Sequence, residues 1–487
     1  MSSAPAAVRV PPHLIGGELV EGAGEPLTLL NPATEEPYAT VATASLEQLD
    51  AAVRSARAAF EDGRWSELDP ERRSQLIHGA CRVLWAHRDE LSELVVTEVG
   101  CPVGTTSEHQ VAGPIELFRW YAEAARRRHD RFLEPKLGSR RSASVVRYVP
   151  VGVVAEITAY NYPLTLALNK LGAALATGNT VVVMPSPRAP VSTLRMGELL
   201  AESGIPDGVV NVVVGDAAVA RALTEHPEVD LVAFTGSVEV GALVMAQAAR
   251  TIKRVVLELG GKSPAVLLPG SDLETHLRPL HQRWTRHAGQ GCQCPTRHFV
   301  HASQWDEFVE QSREIMAGFV VGDPRDEGTD IGPVVSEGQR DRIAGYVDEA
   351  LAAGGEVLAS SPLPDLPRGF WSQPLLIGGV DHSLRICQEE VFGPVAVAFP
   401  YDHVDEAIEL ANATKYGLAA YVYGPDVGEC RRVAARIRAG NVAINGVGGV
   451  RPDAPNGGMK QSGIGRLRGD EGFLEFMEAQ HVQWPVS

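Results

Sequence analysis

Apolar residues recur at helical spacing near the start of the chain. In residues 45–60, "SLEQLDAAVRSARAAF", apolar side chains lie three and four positions apart, and Ser45 with Gln48 forms a capping pair. This pattern predicts an amphipathic helix. A second helical pattern runs over about 70–99, so we expect an opening third that is rich in helix.

From residue 145 the chain changes to short apolar runs that alternate with helical patterns. The runs are "SVVRYVPVGVVAEIT", "TVVVMP", "GVVNVVVGD", "VDLVAFTG" and "RVVLELGG", and the helices between them are predicted at 163–177, 191–203, 217–226 and 238–250. Such runs are typical of strands buried on both faces of a parallel sheet. We therefore predict an open α/β layer that binds its ligands at the carboxyl ends of the strands.

A second set of such units follows after about residue 262. It includes the strands "SPAVLLP" and "GPVAVAFPY" and helices around 304–317 and 336–353, which predicts a second α/β domain with its own core. The charged stretch 126–149 and the C-terminal tail fit neither layer. We interpret them as extended arms that pair with another subunit, with a plain surface hairpin as the alternative.

Composition places the chain among ordinary globular proteins of more than one domain. It has 487 residues, of which 44% are hydrophobic and 22% charged. The net charge of -17 repels phosphate backbones, so we expect no nucleic-acid partner. Residues 1–12 have no signal-peptide core, and polar residues interrupt the most apolar stretch, 162–180, so we expect a cytoplasmic protein without a membrane segment.

Two cysteines, Cys292 and Cys294, lie in the turn "GQGCQCPTR". A structural zinc site needs a second ligand pair that the chain does not supply, so we expect no metal, and a disulfide between positions this close would be strained. Gly289, Gly291 and Pro295 form a turn rich in backbone N–H groups, which would lower the pKa of a nucleophilic thiol. An inert buried thiol is the alternative.

Two further places carry polar residues that suit catalysis. Glu258 ends an apolar strand before a Gly-Gly turn in "VVLELGGKSP", where a carboxylate can act as a general base or simply face solvent. Asn161 lies in a turn in "ITAYNYPLTLALNK", where its amide can donate to an oxyanion or cap the next helix. His281 and His287 precede the cysteines, but nothing in the sequence orients them as a base.

The stretch "FTGSVEVG" offers a helix start to an anionic group. Gly236 and Gly241 follow a predicted strand, and Ser237 stands at the helix start. The chain contains neither the dinucleotide fingerprint G-x-G-x-x-G nor a Walker A loop. Taken alone, this stretch is weak evidence for a nucleotide.

Together, these motifs resemble those of the aldehyde dehydrogenase superfamily over nearly the whole chain. "YNYP" is similar to its oxyanion motif, "FTGSVEVG" to its cofactor turn, "LELGGKSP" to its glutamate motif and "GQGC" to its G-Q-x-C nucleophile motif. "EEVFGPV", "GNVAIN" and "GGMKQSGIGR" are also similar to stretches of that family.

The resemblance implies an NAD(P)-dependent oxidation of an aldehyde to a carboxylic acid. Cys292 would be the nucleophile that forms a thiohemiacetal and then a thioester, and Glu258 would activate water to release the acid. The Asn161 amide and the Cys292 backbone N–H would form the oxyanion site. Cys294 would be a bystander.

The resemblance also implies a cofactor site, and NAD is the expected cofactor, with NADP as the alternative. Ser237 and its turn would meet the pyrophosphate, Glu390 would hold the nicotinamide ribose, and Phe392 would pack near it. The full set of expected cofactor-binding residues is Ile157, Tyr160, Met184, Pro185, Gly215, Phe234, Gly236, Ser237, Leu259, Glu390 and Phe392.

The sequence departs from the family pattern at several positions. In place of the usual K-P-[AS]-E motif, "VVVMPSPRAP" has Met184 and Pro187 where the Lys and Glu contact the adenosine ribose, and Arg188 could attract a 2′-phosphate. Asn456 stands where P-F-G-G has Phe, and His287 where Asn is common. The substrate side is expected to include Trp120, Tyr121, Tyr160, Tyr162 and the loop 446–455.

The resemblance predicts two doubly wound α/β domains and a small β oligomerisation arm. Residues 1–125 and 150–258 would form the cofactor-binding domain, 259–455 the catalytic domain, and 126–149 with 473–487 the arm of a homodimer or homotetramer. Two other functions stay open: a catalytically weak family member that acts as a binding or structural protein, and a thiol esterase that needs no nucleotide.

Overall fold

The computed structural model describes residues 8–127, 129–138, 141–447 and 451–486. The start of the expected N-terminal tail, residues 1–7, and positions 448–450 of the expected substrate loop lie outside the described residues.

Strands and helices alternate along the described chain. The strands are β1 His13–Ile15, β2 Glu18–Val20, β3 Pro26–Leu30, β4 Pro37–Ala42, β5 Arg131–Lys136, β6 Ser142–Pro150, β7 Val153–Ile157, β8 Thr180–Met184, β9 Val210–Val212, β10 Leu231–Thr235, β11 Arg254–Glu258, β12 Ser263–Leu267, β13 Pro295–His301, β14 Glu356–Ser360, β15 Leu375–Gly378, β16 Val395–Tyr401, β17 Ala419–Tyr423, β18 Asn441–Ile444, β19 Gly463–Ile464 and β20 Met477–Pro485. The helices are α1 Leu46–Glu61, α2 Pro70–Ala86, α3 Arg88–Val99, α4 Val103–Thr105, α5 Gly113–Ala124, α6 Pro163–Ala176, α7 Val191–Ala201, α8 Ala217–Glu225, α9 Val238–Ala248, α10 Leu273–Thr285, α11 Trp305–Ala317, α12 Glu337–Ala352, α13 Arg385–Gln388, α14 Val404–Asn412, α15 Val427–Ala434 and α16 Gly469–Glu475.

The first sheet has the order β19-β11-β10-β7-β8-β9-β1-β2, and its strands β11, β10, β7, β8 and β9 are parallel. Alternate residues of these strands enter two separate hydrophobic clusters. Val154, Ala233 and Val256 face a cluster with α6 and α7, whereas Val153 and Val232 face one with α1, α8 and α9. Helices thus cover both faces, which confirms the predicted doubly wound α/β layer.

The second sheet has the order β14-β15-β16-β13-β12-β17-β18 and is parallel except for the pair β14–β15. Its core includes Trp284, Phe299 and Phe308, which are fully buried and belong to a cluster separate from those of the first sheet. The predicted second α/β domain with its own core is therefore confirmed.

A third sheet, β20-β6-β5, forms the predicted β arm. β20 pairs antiparallel with β6 from Met477↔Pro150 to Pro485↔Ser142. The run from residue 145 was predicted as one strand, but the structure divides it at Val151 and Gly152. Gly152 has a φ of +133°, and an added Cβ would come within 1.9 Å of Asp230 Oδ2, so the chain turns there from the arm into the first sheet.

The opening third contains more strand than the sequence pattern predicted. Helix α1 begins behind a complete capping box of Ser45 and Gln48, and the helical pattern over 70–99 divides at His87 into α2 and α3. Before α1, β1 and β2 extend the first sheet, and β3 pairs with β4. Within the residues that the structure describes, no helix has the length and apolar character needed to cross a membrane.

Candidate active site

The carboxyl ends of four parallel strands bring several of the expected site residues side by side. Ile157 of β7 is in register with Met184 of β8 on one side and with Phe234 of β10 on the other. Thr235 of β10 pairs with Glu258 of β11. These residues therefore lie along one edge of the first sheet, where an open α/β layer binds its ligands.

The loop that carries Cys292 comes from the second sheet and lies against this edge. It follows α10 and precedes β13. An added Cβ on Gly261 would come within 2.3 Å of the carbonyl oxygen of Cys292, so only a glycine permits this approach. The half-buried Cys292 thus lies directly over the Gly-Gly turn that follows Glu258.

Asn161 is anchored to the same loop. Its side chain is buried, and Nδ2 donates to the carbonyl oxygen of Gln290 at 2.8 Å, two residues before Cys292. The side chain of Gln290 is held in turn, because its Oε1 accepts from the backbone N–H of Val335 at 3.0 Å. One amide hydrogen of Asn161 remains for another acceptor near Cys292.

Glu258 is buried at the end of β11 and has polar neighbours on both of its oxygens. Oε1 accepts from Nδ2 of Asn456 at 2.7 Å, and Oε2 lies 3.7 Å from Nζ of Lys170. Lys170 is fully buried and donates to Oγ1 of Thr235 at 2.5 Å. The carboxylate is therefore held between an amide and an ammonium, and it does not face solvent as the alternative interpretation required.

Two buried charged residues, Lys170 and Glu156, were not predicted from the sequence. Lys170 interrupts the apolar helix α6, and Glu156 interrupts the apolar strand β7. Glu156 is fully buried, and burial raises the pKa of its carboxyl group well above the ordinary value. A charged residue inside an otherwise apolar element was the available signal, since such residues are almost never buried without a partner or a function.

The thiol of Cys292 differs from the sequence expectation in its acidity. Burial raises its pKa above the ordinary value, and the nearby carboxylates of Glu390 and Glu258 raise the pKa further. A turn rich in backbone N–H groups was expected to lower it. The pKa is raised instead, because the thiol is buried and two carboxylates lie near it, and a strand, β13, follows the cysteine where a helix start would favour the thiolate.

Neither Cys294 nor the upstream histidines form a catalytic couple with Cys292. The Sγ of Cys294 contacts the carbonyl oxygen of Arg283 at 3.5 Å, and burial raises the pKa of its thiol to about 12. His281 hydrogen bonds with Oγ of Ser312 at 2.9 Å. His287 is buried and packs edge-on against Tyr162, and burial lowers its pKa to about 4, so it is neutral.

The turn at Gly236 and Ser237 begins α9 beside this edge. Ser237 caps the helix, since its Oγ accepts from the backbone N–H of Val240 at 3.2 Å. An added Cβ on Gly236 would come within 2.3 Å of the ring of Phe234. The exposed start of α9 is thus available to an anionic group.

Other expected cofactor residues line the same edge. Leu259 packs on Gly241 of α9, where an added Cβ would come within 2.6 Å of Leu259 Cδ2. Gly215, which follows β9, lies against Met184, since an added Cβ would come within 3.3 Å of Met184 Cε. Pro185 is buried directly after β8.

Glu390 and Phe392 lie at the site on the side of the second sheet, and Tyr160 lies opposite them on the side of the first sheet. Oε1 of Glu390 accepts from the backbone N–H of Gly261 at 3.0 Å, and burial raises the pKa of this carboxyl to about 7. The ring of Phe392 meets that of Tyr160 edge-on at 5.9 Å, and the guanidinium of Arg188 lies 5.5 Å from the Tyr160 ring. These contacts join the two sheets across the site.

The aromatic residues expected on the substrate side have different surroundings. Tyr121 is fully buried, its hydroxyl donates to Oδ1 of Asn169 at 3.0 Å, and its ring packs against Phe473. Trp120 is partly buried and packs against Tyr121. Tyr121 is therefore a core residue, while Tyr160 and Tyr162 contact the site.

A comparison with family models matches residues 19–482 to the aldehyde dehydrogenase family. Among curated relatives, a putative aldehyde dehydrogenase of Staphylococcus saprophyticus is 37% identical and covers 96% of this chain and 97% of its own length. The putative aldehyde dehydrogenase DhaS of Bacillus subtilis is 36% identical, with coverage of 96% and 94%.

Solved structures agree with this. A betaine aldehyde dehydrogenase of Staphylococcus aureus in complex with NAD+ has a TM-score of 0.93 and 35% identity and covers 97% of this chain and 94% of its own. The NAD+ complex of an aldehyde dehydrogenase of Bacillus cereus has a TM-score of 0.94 and 35% identity, with coverage of 98% and 97%. The chain therefore belongs to the aldehyde dehydrogenase family, as its motifs predicted.

Proposed function

We propose that this chain is an NAD-dependent aldehyde dehydrogenase that oxidises an aldehyde to a carboxylic acid through a thioester on Cys292. The observation that carries the proposal is the convergence of Cys292, Asn161 and Glu258 from three separate segments at one edge of the first sheet. The family match and the two NAD+-bound relatives support the same reaction class.

In the first step, the Cys292 thiolate attacks the aldehyde carbon, and the carbonyl oxygen becomes an alkoxide. The free amide hydrogen of Asn161 and the backbone N–H of Cys292 donate to this oxygen. The contact between Asn161 and Gln290 fixes the amide before the substrate binds, so it does not need to reorganise during the reaction. Because burial and the nearby carboxylates raise the pKa of the resting thiol, the thiolate fraction of Cys292 increases as the pH rises.

The cofactor edge fits a dinucleotide. The capped start of α9 presents backbone N–H groups to a pyrophosphate, and the buried carboxylate of Glu390 can accept from ribose hydroxyls. Oγ1 of Thr158, directly after β7, is buried and has no partner in the part of the chain that is described. When bound, the nicotinamide of NAD supplies the hydride acceptor.

In the last step, Glu258 takes a proton from a water molecule whose oxygen bonds to the thioester carbon. The carbon–sulfur bond breaks, the acid is released, and Cys292 is regenerated as a thiolate. Oε1 of Glu258 accepts from Nδ2 of Asn456, and the ammonium of Lys170 lies 3.7 Å from Oε2.

NAD is the proposed nucleotide, and one feature favours NADP as the alternative. The end of β8 is apolar, with Met184 buried and Pro187 exposed, so it lacks the acidic residue that repels a 2′-phosphate. Arg188 is exposed next to it and would attract such a group. Initial rates with NAD+ and NADP+ side by side distinguish the two.

The same apolar edge favours a second candidate function, a catalytically weak family member that acts as a binding or structural protein. Calorimetric titration with NAD+ and NADP+ tests both candidates, since a scaffold shows no saturable heat with either nucleotide. Hydrolysis of an ester without nucleotide tests the esterase alternative.

We also propose that the chain forms a homodimer or homotetramer in the cytoplasm. Helix α9 exposes Leu243 with Val240 and Met245, and the arm exposes Phe132 and Trp484. Exposed apolar patches of this kind mark association surfaces. The cysteines are free thiols, which agrees with a reducing compartment. Analytical ultracentrifugation of the native chain and of a Leu243→Glu variant tests the assembly.

The decisive experiment measures NADH formation with a panel of aldehydes. We expect the native protein to reduce NAD+ and Cys292→Ala to be inactive, while Cys294→Ala, which removes a thiol two residues away, retains activity. Full turnover by Cys292→Ala would contradict the proposed function.

A further inference from the structure

The side chain of Asn456 connects the general base to the loop of the nucleophile. Its Nδ2 donates to Oε1 of Glu258 at 2.7 Å. Its Oδ1 accepts from Nε2 of Gln293 at 3.0 Å and from Nδ2 of Asn441 at 3.3 Å. Gln293 directly follows Cys292, so one amide links the base to the loop that carries the sulfur.

These contacts leave Asn456 a single orientation. Two amide donors converge on its oxygen, and the nitrogen must then point at the carboxylate. The backbone is pinned as well, because Asn456 N–H donates to the carbonyl oxygen of Leu467 at 2.7 Å and Leu467 N–H donates back at 2.8 Å. Leu467 is fully buried. The Nδ2 donor cannot turn away without the loss of several hydrogen bonds.

The opposite side of Glu258 explains why such a donor matters. Nζ of Lys170 is 3.7 Å from Oε2, which is longer than a charge-assisted hydrogen bond, and it donates to Thr235. The amide of Asn456 is therefore the donor that fixes the carboxylate, since it holds the other oxygen at hydrogen-bond distance.

We propose that Asn456 is a positioning residue that keeps Glu258 directed at the thioester, so that hydrolysis of the acyl-enzyme depends on it. This inference rests on the proposed function, in which Glu258 takes the proton from water. The family motif has Phe at this position, and a phenyl ring has no donor for the carboxylate. The chain therefore replaces an apolar contact with a hydrogen bond to its own base.

The kinetic consequence is confined to one step. Attack of Cys292 on the substrate and loss of the hydride precede the use of Glu258, whereas hydrolysis of the thioester requires it. The ratio kcat/KM reports the steps up to the first irreversible one, and kcat also includes hydrolysis. Removal of the donor should therefore lower kcat and leave kcat/KM nearly unchanged.

Two variants of Asn456 separate its donor from its size. Asn456→Leu removes all polar side-chain contacts and keeps the number and branching of the side-chain heavy atoms. Asn456→Asp keeps the acceptor for Gln293, loses the donor and adds a second carboxylate beside Glu258. We expect kcat to fall about 10-fold to 100-fold in both, with kcat/KM within about 2-fold of the native value. A burst of NADH should precede the slow steady state. Gln461→Leu, which changes an exposed amide in the short 3-10 helix Lys460–Ser462, is the matched control and should behave like the native protein.

A nitrophenyl ester without nucleotide supplies a second readout. Acylation of Cys292 releases nitrophenolate in a burst, and the slow phase reports hydrolysis of the acyl-enzyme. We expect the slow phase to fall about 10-fold to 100-fold in Asn456→Leu while the burst rate is kept. If that variant does not fold, Asn456→Asp and Gln293→Leu, which loosens Asn456, give the same test.

The outcomes distinguish the inference from the function on which it rests. An unchanged kcat and ester slow phase in the Asn456 variants would overturn the positioning role, and so would a parallel fall of kcat and kcat/KM. Absence of NADH from the native protein with every aldehyde would overturn the proposed function. The ester assay would then still decide whether Asn456 controls the hydrolysis.

Discussion

The catalytic centre and the adenosine side of the cofactor edge lie on the same sheet but differ in character. At the end of β11, Glu258 has an amide and an ammonium within reach and lies beside the cysteine loop. At the end of β8, Met184 is buried among Phe234 and Val219, and no charged side chain replaces the Lys of the family motif at that position.

Because of this difference, we expect the two regions to control different properties: the reaction rate at the end of β11 and the preference between NAD+ and NADP+ at the end of β8. Asn161 and Glu258, which we propose act on the reacting carbon, are held by hydrogen bonds to neighbouring residues, so changes there should alter rates by orders of magnitude. The β8 end contributes packing and an exposed Arg188, so changes there should alter only the preference between nucleotides. In the proposed function, the start of α9 and Glu390 are the polar groups that would bind the cofactor.

The largest effect is expected from Glu258→Gln. This change keeps the side-chain shape but removes the base, and general base catalysis contributes about 100-fold to 10000-fold. Stopped-flow measurement of NADH should show a burst close to one equivalent per chain and then a strongly reduced steady state. Equal activity of Glu258→Gln and the native protein would contradict the role of Glu258 as the general base.

Asn161→Ala should have the next largest effect. Loss of one oxyanion donor lowers kcat about 100-fold to 1000-fold, because the alkoxide loses a pre-oriented hydrogen bond. In contrast to Glu258→Gln, this variant should slow the burst itself. Near-native burst kinetics would show that the contact with Gln290 is the only role of Asn161.

Glu390→Gln should make Cys292 more reactive. The carboxylate of Glu390 helps to raise the pKa of the thiol, so its neutral replacement should lower that pKa and increase the thiolate fraction at pH 8. Alkylation by iodoacetamide, mapped to Cys292 by mass spectrometry, should become up to about 10-fold faster. In the native protein the rate should rise with pH through the alkaline range.

Glu389→Gln is the matched control for this measurement, since the neighbouring carboxylate faces Arg385 and Tyr346. It should alkylate like the native protein. An unchanged or slower rate in Glu390→Gln would mean that the carboxylate does not act on the sulfur.

The smallest effect is expected from Arg188→Ala. An exposed cation contributes little, so KM for NADP+ should rise about 2-fold to 5-fold and KM for NAD+ should stay constant. Arg221→Ala, an exposed residue on α8, serves as control. An equal rise of KM for both nucleotides would place Arg188 in general cofactor binding.

The sequence predicted the architecture well where periodicity was clear. The helices α6 to α9 begin within a residue of their predicted starts, because proline and capping residues mark them. The division of the run at Gly152 was missed, since a strand that leaves one sheet for another has the same apolar pattern as one that stays.

The sequence predicted which residues form the site, but it did not predict the pKa shifts of those residues. Motifs indicate which residues meet, but the pKa of Cys292 depends on burial and on Glu390, which is distant in sequence. The hydrogen bond from Asn456 to Glu258 joins positions that no local pattern relates. Only the fold brings these groups together.

Intact-protein mass spectrometry can detect the proposed thioester on Cys292 itself. After Glu258→Gln is mixed with an aldehyde and NAD+, we expect an added acyl mass on each chain, mapped to Cys292 and absent from Cys292→Ala. Formation of the acid by the native protein with no acyl adduct in Glu258→Gln, or with an adduct on another residue, would contradict it.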